Sequence, residues 1–330
     1  TLVGISVAAK RGILFKEASF LETMAKSDIL ALDKTGTITE GKPSVVKAEY
    51  LQNFDPALLY ALVNTSNHPI SKGIKAYLES RHDILEMLTL EEITSIEAKG
   101  VKATYQGKKL LGGNDALMEF YALKVDTNSE NALFFFAIND LLVARFELTD
   151  TIRKGAAKAI QSIQELGVKV VMLTGDHEQS AQKVAAQVGI DEVYAKLLPG
   201  DKLAMIDTFH QEGHVVVMVG DGINDAIALA SSDISIAMGN GADVAISVSD
   251  IVLLDEKPES IYESYKLSRR TFSAVKENLG FSLLYNVIAV PLAMMGFVNP
   301  LVAALSMSLS SLVVVGNSLR IKRLKFKSKE

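Results

Sequence analysis

Four apolar, β-rich runs stop abruptly at small or acidic residues: 29–32 before Asp33, 168–173 before Thr174, 215–219 before Gly220 and 234–238 before Gly239. This pattern predicts parallel strands. Between them, 153–166 and 178–188 carry apolar residues at helical spacing, so the chain alternates as a doubly wound α/β domain does. In such sheets chemistry gathers at the carboxyl ends of the strands.

The first run is separated from the second by more than a hundred residues, too many for an ordinary crossover. The intervening 44–144 has helical and strand patterns of its own and predicts an inserted domain. After Asn278 the pattern changes to two uncharged, mainly apolar stretches, 279–295 and 301–319, separated by Gly296, Asn299 and Pro300. Each is about long enough to cross a bilayer. The alternative is a pair of buried core helices, but the basic run Arg320, Lys322, Arg323, Lys325, Lys327 and Lys329 favours a membrane hairpin with both ends in the cytoplasm.

Composition narrows the classes. At 330 residues with 48% hydrophobic content the chain is globular and has room for two or three domains. The net charge of -5 offers no basic face for nucleic acid. Cysteine is absent, which excludes disulfides and thiolate metal sites within this chain. Because the first residue is Thr and no signal region precedes it, the expectation is a piece of a longer protein.

Asp33 opens the stretch "DKTGTIT". Read alone, it is compatible with a plain strand-to-turn exit, since Gly, Thr and Asp are common turn residues. However, "MLTGD" (172–176) and "VGDGINDAIAL" (219–229) end other strands of the same predicted sheet with residue types that handle phosphate and Mg2+. A carboxylate can attack phosphorus only if the phosphate's charge is countered by a hard cation with oxygen ligands and by a positioned ammonium. Asp221 and Asp225 supply oxygen near Mg2+; Lys202 supplies the ammonium; Thr174 and Gly175 offer a hydroxyl and an N–H; Asp33 remains as nucleophile.

These three stretches, in this order, resemble the signature set of P-type ATPases, within the haloacid-dehalogenase-like phosphotransferase superfamily. The resemblance covers essentially the whole chain. It implies a haloacid-dehalogenase-like doubly wound parallel sheet, an inserted α+β nucleotide domain and a C-terminal transmembrane helical hairpin. The expected divisions are a membrane-exit helix and stalk (1–26), a phosphorylation domain (27–43 and 145–260), the nucleotide domain (44–144), a stalk helix (261–278), two membrane helices (279–319) and a basic tail (320–330). It further implies that ATP phosphorylates Asp33, with Asp221 and the Thr35 carbonyl joining Asp33 around Mg2+ while Asn224 and Asp225 support the site. Soluble phosphatases of the superfamily usually carry an acidic residue two positions after the nucleophile, where Thr35 stands here. Threonine cannot activate water as that acid would, so the acyl phosphate should be longer lived. The Thr-Gly-Glu loop that completes hydrolysis in P-type ATPases does not occur in this chain.

In the insertion, "SNHPIS" (66–71) resembles the His-Pro motif of heavy-metal P-type ATPases, which implies that His68 orients ATP. Read alone, a His before Pro caps or packs a helix start. Gly100, Gly113 and Asn114 match that group's other nucleotide-loop positions. Two places depart from the pattern: Val63 stands where Glu is common and Ala98 where Gly is common, which puts ATP affinity and base selectivity in question.

The hairpin interior lacks Asp, Glu, Lys and His, so a hard divalent ion finds no charged ligand there. Tyr285 and Asn286 in the first helix and Met307 and Ser311 in the second offer softer chemistry, and thioether suits Cu(I). The bland reading is that Met fills gaps and Ser packs helices. The "YN" and "MSLSS" pairing resembles copper(I)-exporting P-type ATPases, whose Cys-Pro-Cys motif would lie upstream of Thr1. The resemblance implies Cu(I) export across the cell membrane, with a copper chaperone as a possible partner. The alternatives are a zinc- or cadmium-type pump and a soluble phosphatase of the same superfamily.

Overall fold

The computed structural model describes residues 1–82, 85–220, 225–239, 243–296 and 299–324. In chain order the strands are β1 (Ile13–Phe15), β2 (Ile29–Leu32), β3 (Ser44–Tyr50), β4 (Glu91–Ile96), β5 (Gly100–Tyr105), β6 (Lys108–Gly113) and β7 (Ala132–Ile138). They continue as β8 (Leu141–Thr149), β9 (Lys169–Leu173), β10 (Glu192–Tyr194), β11 (Val216–Gly220), β12 (Ile234–Met238) and β13 (Ile251–Leu253).

Seven strands form one sheet in the order β1-β13-β12-β11-β2-β9-β10, parallel except for β1, which runs antiparallel to β13. The apolar runs read from sequence are its central strands. Their alternation serves two cores at once. Leu30, Leu32, Val170, Met172, Val217 and Val219 pack on one face with the helices Ala156–Glu165 and Glu178–Val188. Ile29, Ala31, Val171, Leu173, Val216 and Met218 pack on the other with the helix Pro199–Gln211. A strand covered on both faces needs apolar residues at every position, which is why these runs show no polar alternation.

The other six strands form an antiparallel sheet in the order β3-β8-β7-β6-β5-β4. Helices Pro56–Asn64 and Pro69–Arg81 cover one face through Leu59, Leu62, Ile74 and Leu78, against Phe136 and Phe146. The short helix Asp115–Phe120 covers part of the other through Leu117 and Met118. The sequence-based end of the insertion, 144, falls inside β8. That strand pairs with β3 as far as Thr149, so the sheet extends five residues beyond it. A boundary read from the gap between sheet-forming runs cannot locate a strand that continues the insertion directly up to the crossover.

The first 26 residues also differ from the expected helix and stalk. Helix Leu2–Ala9 is followed by β1 on the edge of the seven-stranded sheet and then by helix Ser19–Lys26. Leu2–Ala9 lies close against the long helix Pro258–Met294, where a Cβ on Gly4 would stand 2.5 Å from the Thr271 hydroxyl. That long helix is continuous from the side of the seven-stranded sheet into the first apolar stretch, and Pro300–Leu319 forms the second. Both are long and apolar enough to cross a membrane.

Candidate active site

In the sheet order β11-β2-β9, three carboxyl ends lie side by side, and the candidate residues follow from there. Asp33 leaves β2 with its N–H bonded to the Val219 carbonyl of β11 (3.0 Å). The chain then turns sharply: Thr35 at φ -76, ψ 127 and Gly36 at φ 75, ψ -10 are the two central conformations of a type II turn. The positive φ is the reason for glycine at 36. Arg153 holds this turn from outside, donating to the Gly36 carbonyl at 2.9 Å and the Thr39 carbonyl at 3.0 Å. Asp150 accepts from the Thr39 hydroxyl (2.5 Å) and the Gly41 N–H (3.0 Å). Neither residue was singled out from sequence as part of the site: both stand more than a hundred residues downstream, Arg153 as the polar first position of the predicted helix 153–166 and Asp150 just ahead of it.

Lys202 rises from the first turn of helix Pro199–Gln211. Its ammonium donates to Asp33 Oδ1 and to Asp225 Oδ1, both at 2.6 Å. Asp33, Lys202 and Asp225 are 7%, 4% and 2% exposed, so the three charges form a nearly dry carboxylate–ammonium–carboxylate bridge. Burial pushes the Lys202 ammonium down, and the helix N-terminus opposes a cation there, but the two carboxylates prevail and hold it above its ordinary value. It is therefore a fixed positive charge at neutral pH. Asp225, expected to supply oxygen near Mg2+ and to support the site, gives its Oδ1 to this ammonium.

Thr174, also buried, ends β9. Its N–H donates to the Tyr194 carbonyl (2.9 Å), and its hydroxyl oxygen accepts from the Asp176 N–H (3.1 Å), which leaves the hydroxyl hydrogen to donate. Asp176 pairs with the buried Lys34, a contact that sequence reasoning did not assign although both residues lie in quoted motifs. The structure thus brings Asp33, Thr174, Lys202 and Asp225 together at one sheet edge. Asp221 and Asn224 lie outside the described residues. The Asp33 carboxylate and the Thr35 carbonyl are hard oxygen donors of the kind Mg2+ takes, so the described part of the donor set fits that ion.

In the six-stranded domain, His68 caps helix Pro69–Arg81, its Nδ1 accepting from the Ile70 N–H at 3.3 Å. The capping and ligand readings are compatible, because Nδ1 as acceptor leaves Nε2–H free to face outward. His68 is exposed, yet crowding by neighbouring protein pushes its imidazolium below the usual value, against the pull of the Asp176 carboxylate. Gly100 and Gly113 are paired residues of β5 and β6. A Cβ on Gly100 would stand 2.3 Å from the Gly112 carbonyl and one on Gly113 2.2 Å from that of Lys99, so close backbone packing already requires glycine at both. Asn114 accepts from the Leu117 N–H and donates to the Ala98 carbonyl, which ties the two loops together. Ala98 has φ 58, the left-handed conformation that explains why glycine would be common there. Val63 is 3% exposed in the domain core.

In the hairpin the stripe turned toward cover is not the one that carries Met307 and Ser311. Helix Pro300–Leu319 turns Ser306, Ser310, Val314 and Asn317 toward cover, and Asn317 donates to Glu277 (2.9 Å) and Asn278 (3.0 Å) of the long helix. Met307 and Ser311 lie one residue further round, about 100° away. Met307 is 64% exposed, Ser311 and Asn286 are exposed and Tyr285 is half-buried. Helical spacing established that Met307 and Ser311 share a stripe but not which stripe faces the partner helix.

Residues 28–233, more than half of the chain, match the haloacid dehalogenase-like hydrolase family. The chain belongs to that family. Beyond this domain, 97% of this haloacid dehalogenase-like hydrolase is 37% identical to a copper-exporting P-type ATPase of Vibrio cholerae, over 37% of the latter's length. A copper-exporting P-type ATPase of Staphylococcus epidermidis is 37% identical over 98% of this chain and 42% of its own. The chain therefore spans about two fifths of the length of the curated relatives it matches. Among solved structures, a zinc-transporting PIB-type ATPase in an E2.Pi state superposes with a TM-score of 0.72 at 29% identity, covering 97% of this chain and 54% of that one. The catalytic domain of a CPx-ATPase, described for its conformational changes upon nucleotide binding, gives 0.68 at 28% identity, covering 80% of this chain and 98% of that one.

Proposed function

We propose that this chain is the catalytic and C-terminal membrane part of an ATP-driven pump that exports Cu(I) from the cytoplasm through an aspartyl phosphate at Asp33. The observation that carries the reading is the nearly dry Asp33–Lys202–Asp225 bridge at the carboxyl end of β2. A buried carboxylate beside a permanent ammonium stays ionised, as a nucleophile must, and the same ammonium counters the charge of an arriving phosphoryl group. An Asp33 oxygen forms the bond to the γ-phosphorus while the bond to the β,γ-bridging oxygen breaks, and ADP leaves with that electron pair. Thr174 donates its hydroxyl hydrogen to a phosphoryl oxygen. Mg2+, held by Asp33, Thr35 and Asp221, would supply further charge neutralisation, with Asn224 and Asp225 in support. Thr35 cannot serve as the base for hydrolysis, which suits a phosphoenzyme that persists through a transport step.

In this reading His68, Gly100, Gly113 and Asn114 hold ATP, Tyr285, Asn286, Met307 and Ser311 contribute to the ion path, and a copper chaperone delivers the ion to a pump of the plasma membrane. The copper assignment draws on the printed function of relatives at 37% identity. A second cargo, Zn2+, is favoured by the zinc-transporting structure at 29% identity, but the hairpin offers no carboxylate, imidazole or thiolate to that ion. Replacing Asp33 by Asn should abolish the acid-stable, hydroxylamine-sensitive phosphoenzyme formed from ATP while nucleotide still binds; undiminished phosphoenzyme would exclude Asp33 as nucleophile.

A further inference from the structure

Two polar side-chain contacts cross from the six-stranded domain to the seven-stranded one beside the candidate site. His177 Nε2 lies 3.2 Å from Asp115 Oδ1. His177 immediately follows the Thr174–Asp176 loop, and Asp115 opens the helix that Asn114 caps. One turn and a half further along helix Glu178–Val188, Lys183 reaches Asn131 Oδ1 at 3.2 Å and Glu130 at 3.6 Å, both just ahead of β7. The two pairs engage the same helix, one from each end of the segment 115–131. The loop they flank is also the one whose Asp176 pairs with Lys34 and acts on His68.

We infer that Asp115–His177, reinforced by Lys183 against Glu130 and Asn131, is the latch that seats the inserted domain over Asp33 and so positions the nucleotide for phosphoryl transfer. This rests on the ATP reading above. Both residues of each pair are short of burial: the side chains of His177 and Asp115 are 51% and 31% exposed, those of Lys183 and Glu130 39% and 75%. Exposed pairs are individually weak, which is what a closure that must reopen for ADP release requires. His177 and Asp115 touch no reacting atom and act as positioning residues. None of the six described strands of the insertion pairs with the seven-stranded sheet, so the two sheets are joined by the chain crossings, bridged at Thr39 and Ile152, and by side-chain contacts of this kind.

The absence of cysteine makes a direct test practical. Cysteines introduced at the exposed Lys108 and Lys158, one on each domain, would carry spin labels in the full 330-residue chain in detergent. Asp115→Asn and His177→Gln should each broaden and lengthen the interlabel distance distribution, and should raise the ATP concentration that half-saturates phosphoenzyme formation about threefold. Phosphorylation by inorganic phosphate, which needs no nucleotide domain, should stay unchanged. The exchange Asp115→His with His177→Asp should restore both readouts. Unchanged distances in the single variants, or an exchange variant no better than either, would overturn the latch. A wild-type chain that binds ATP but never forms the phosphoenzyme would overturn the ATP reading instead, with the distance measurement still deciding the latch.

Discussion

Replacing Lys202 by Met removes the charge that separates Asp33 from Asp225 while keeping much of the side chain's length and volume. The two carboxylate oxygens that it bridges are each 2.6 Å from Nζ and therefore at most about 5 Å apart. At an effective dielectric near 20, two such charges repel by about 3 kcal/mol. Removing one partner from a buried ionic cluster costs about 3–5 kcal/mol by a separate measure, so the two scales agree. For a domain of this size that corresponds to a drop in melting temperature of about 6–20 °C. The assay is thermal unfolding of the full chain in detergent, followed by near-ultraviolet signal and repeated for the double variant Lys202→Met with Asp225→Asn, which should recover about half of the loss. The wild-type advantage has a defined pH range. Because the folded ammonium is held above its ordinary value, its stabilisation is fully present below about pH 10.4 and is lost as pH rises through the folded value. A Lys202→Met variant melting within about 2 °C of wild type, or no recovery in the double variant, would refute the claim that this bridge is a cation shared by two buried carboxylates.

Three further outcomes follow from named contacts. Gly100→Ala should destabilise the six-stranded domain by about 2 kcal/mol or more, measured by denaturant unfolding, since its Cβ would stand 2.3 Å from the Gly112 carbonyl. At Asp28, burial raises the carboxyl pKa but is outweighed by hydrogen bonds from His214 and the Val215 N–H, which leave it below its ordinary value. Its contribution is fully present above about pH 3.9 and lost as pH falls through the folded value, so Asp28→Asn should lower the melting temperature at pH 6 and do so progressively less as the pH is taken down through the acid range. The effect should be a few tenths of a kcal/mol, because the pair is partly exposed. On the proposed Cu(I) reading, Met307→Leu, which keeps volume and apolarity but removes the thioether, should lower Cu(I)-stimulated turnover of the full-length protein in membranes while phosphorylation by inorganic phosphate stays normal; unchanged Cu(I) turnover would remove Met307 from the proposed ion path.

The parallel core was legible in the chain because a strand buried on both faces is apolar almost throughout, and 29–32, 168–173, 215–219 and 234–238 follow that local rule except at the exposed Lys169 and at Ser235, whose hydroxyl is bonded to Asp250. The places of Asp33 and Thr174, each immediately after one of those runs, were legible for the same reason, whereas Lys202 lies in the first turn of helix Pro199–Gln211 and reaches Asp33 only through the fold. The periodic helices 153–166 and 178–188 and the two long apolar stretches were equally local statements. Other features depend on distances between residues remote in sequence. Asp225 meets Lys202 and Arg153 holds the turn at Gly36 only once the seven-stranded sheet is assembled, Asp115 meets His177 only once the two domains pack together, and no spacing encodes those meetings. The same reason put the end of the insertion inside β8 and left the facing stripe of the second membrane helix undetermined. Pattern specifies which positions an element buries, whereas register, crossing and packing between elements specify against what they are buried, and that is decided by the tertiary structure alone.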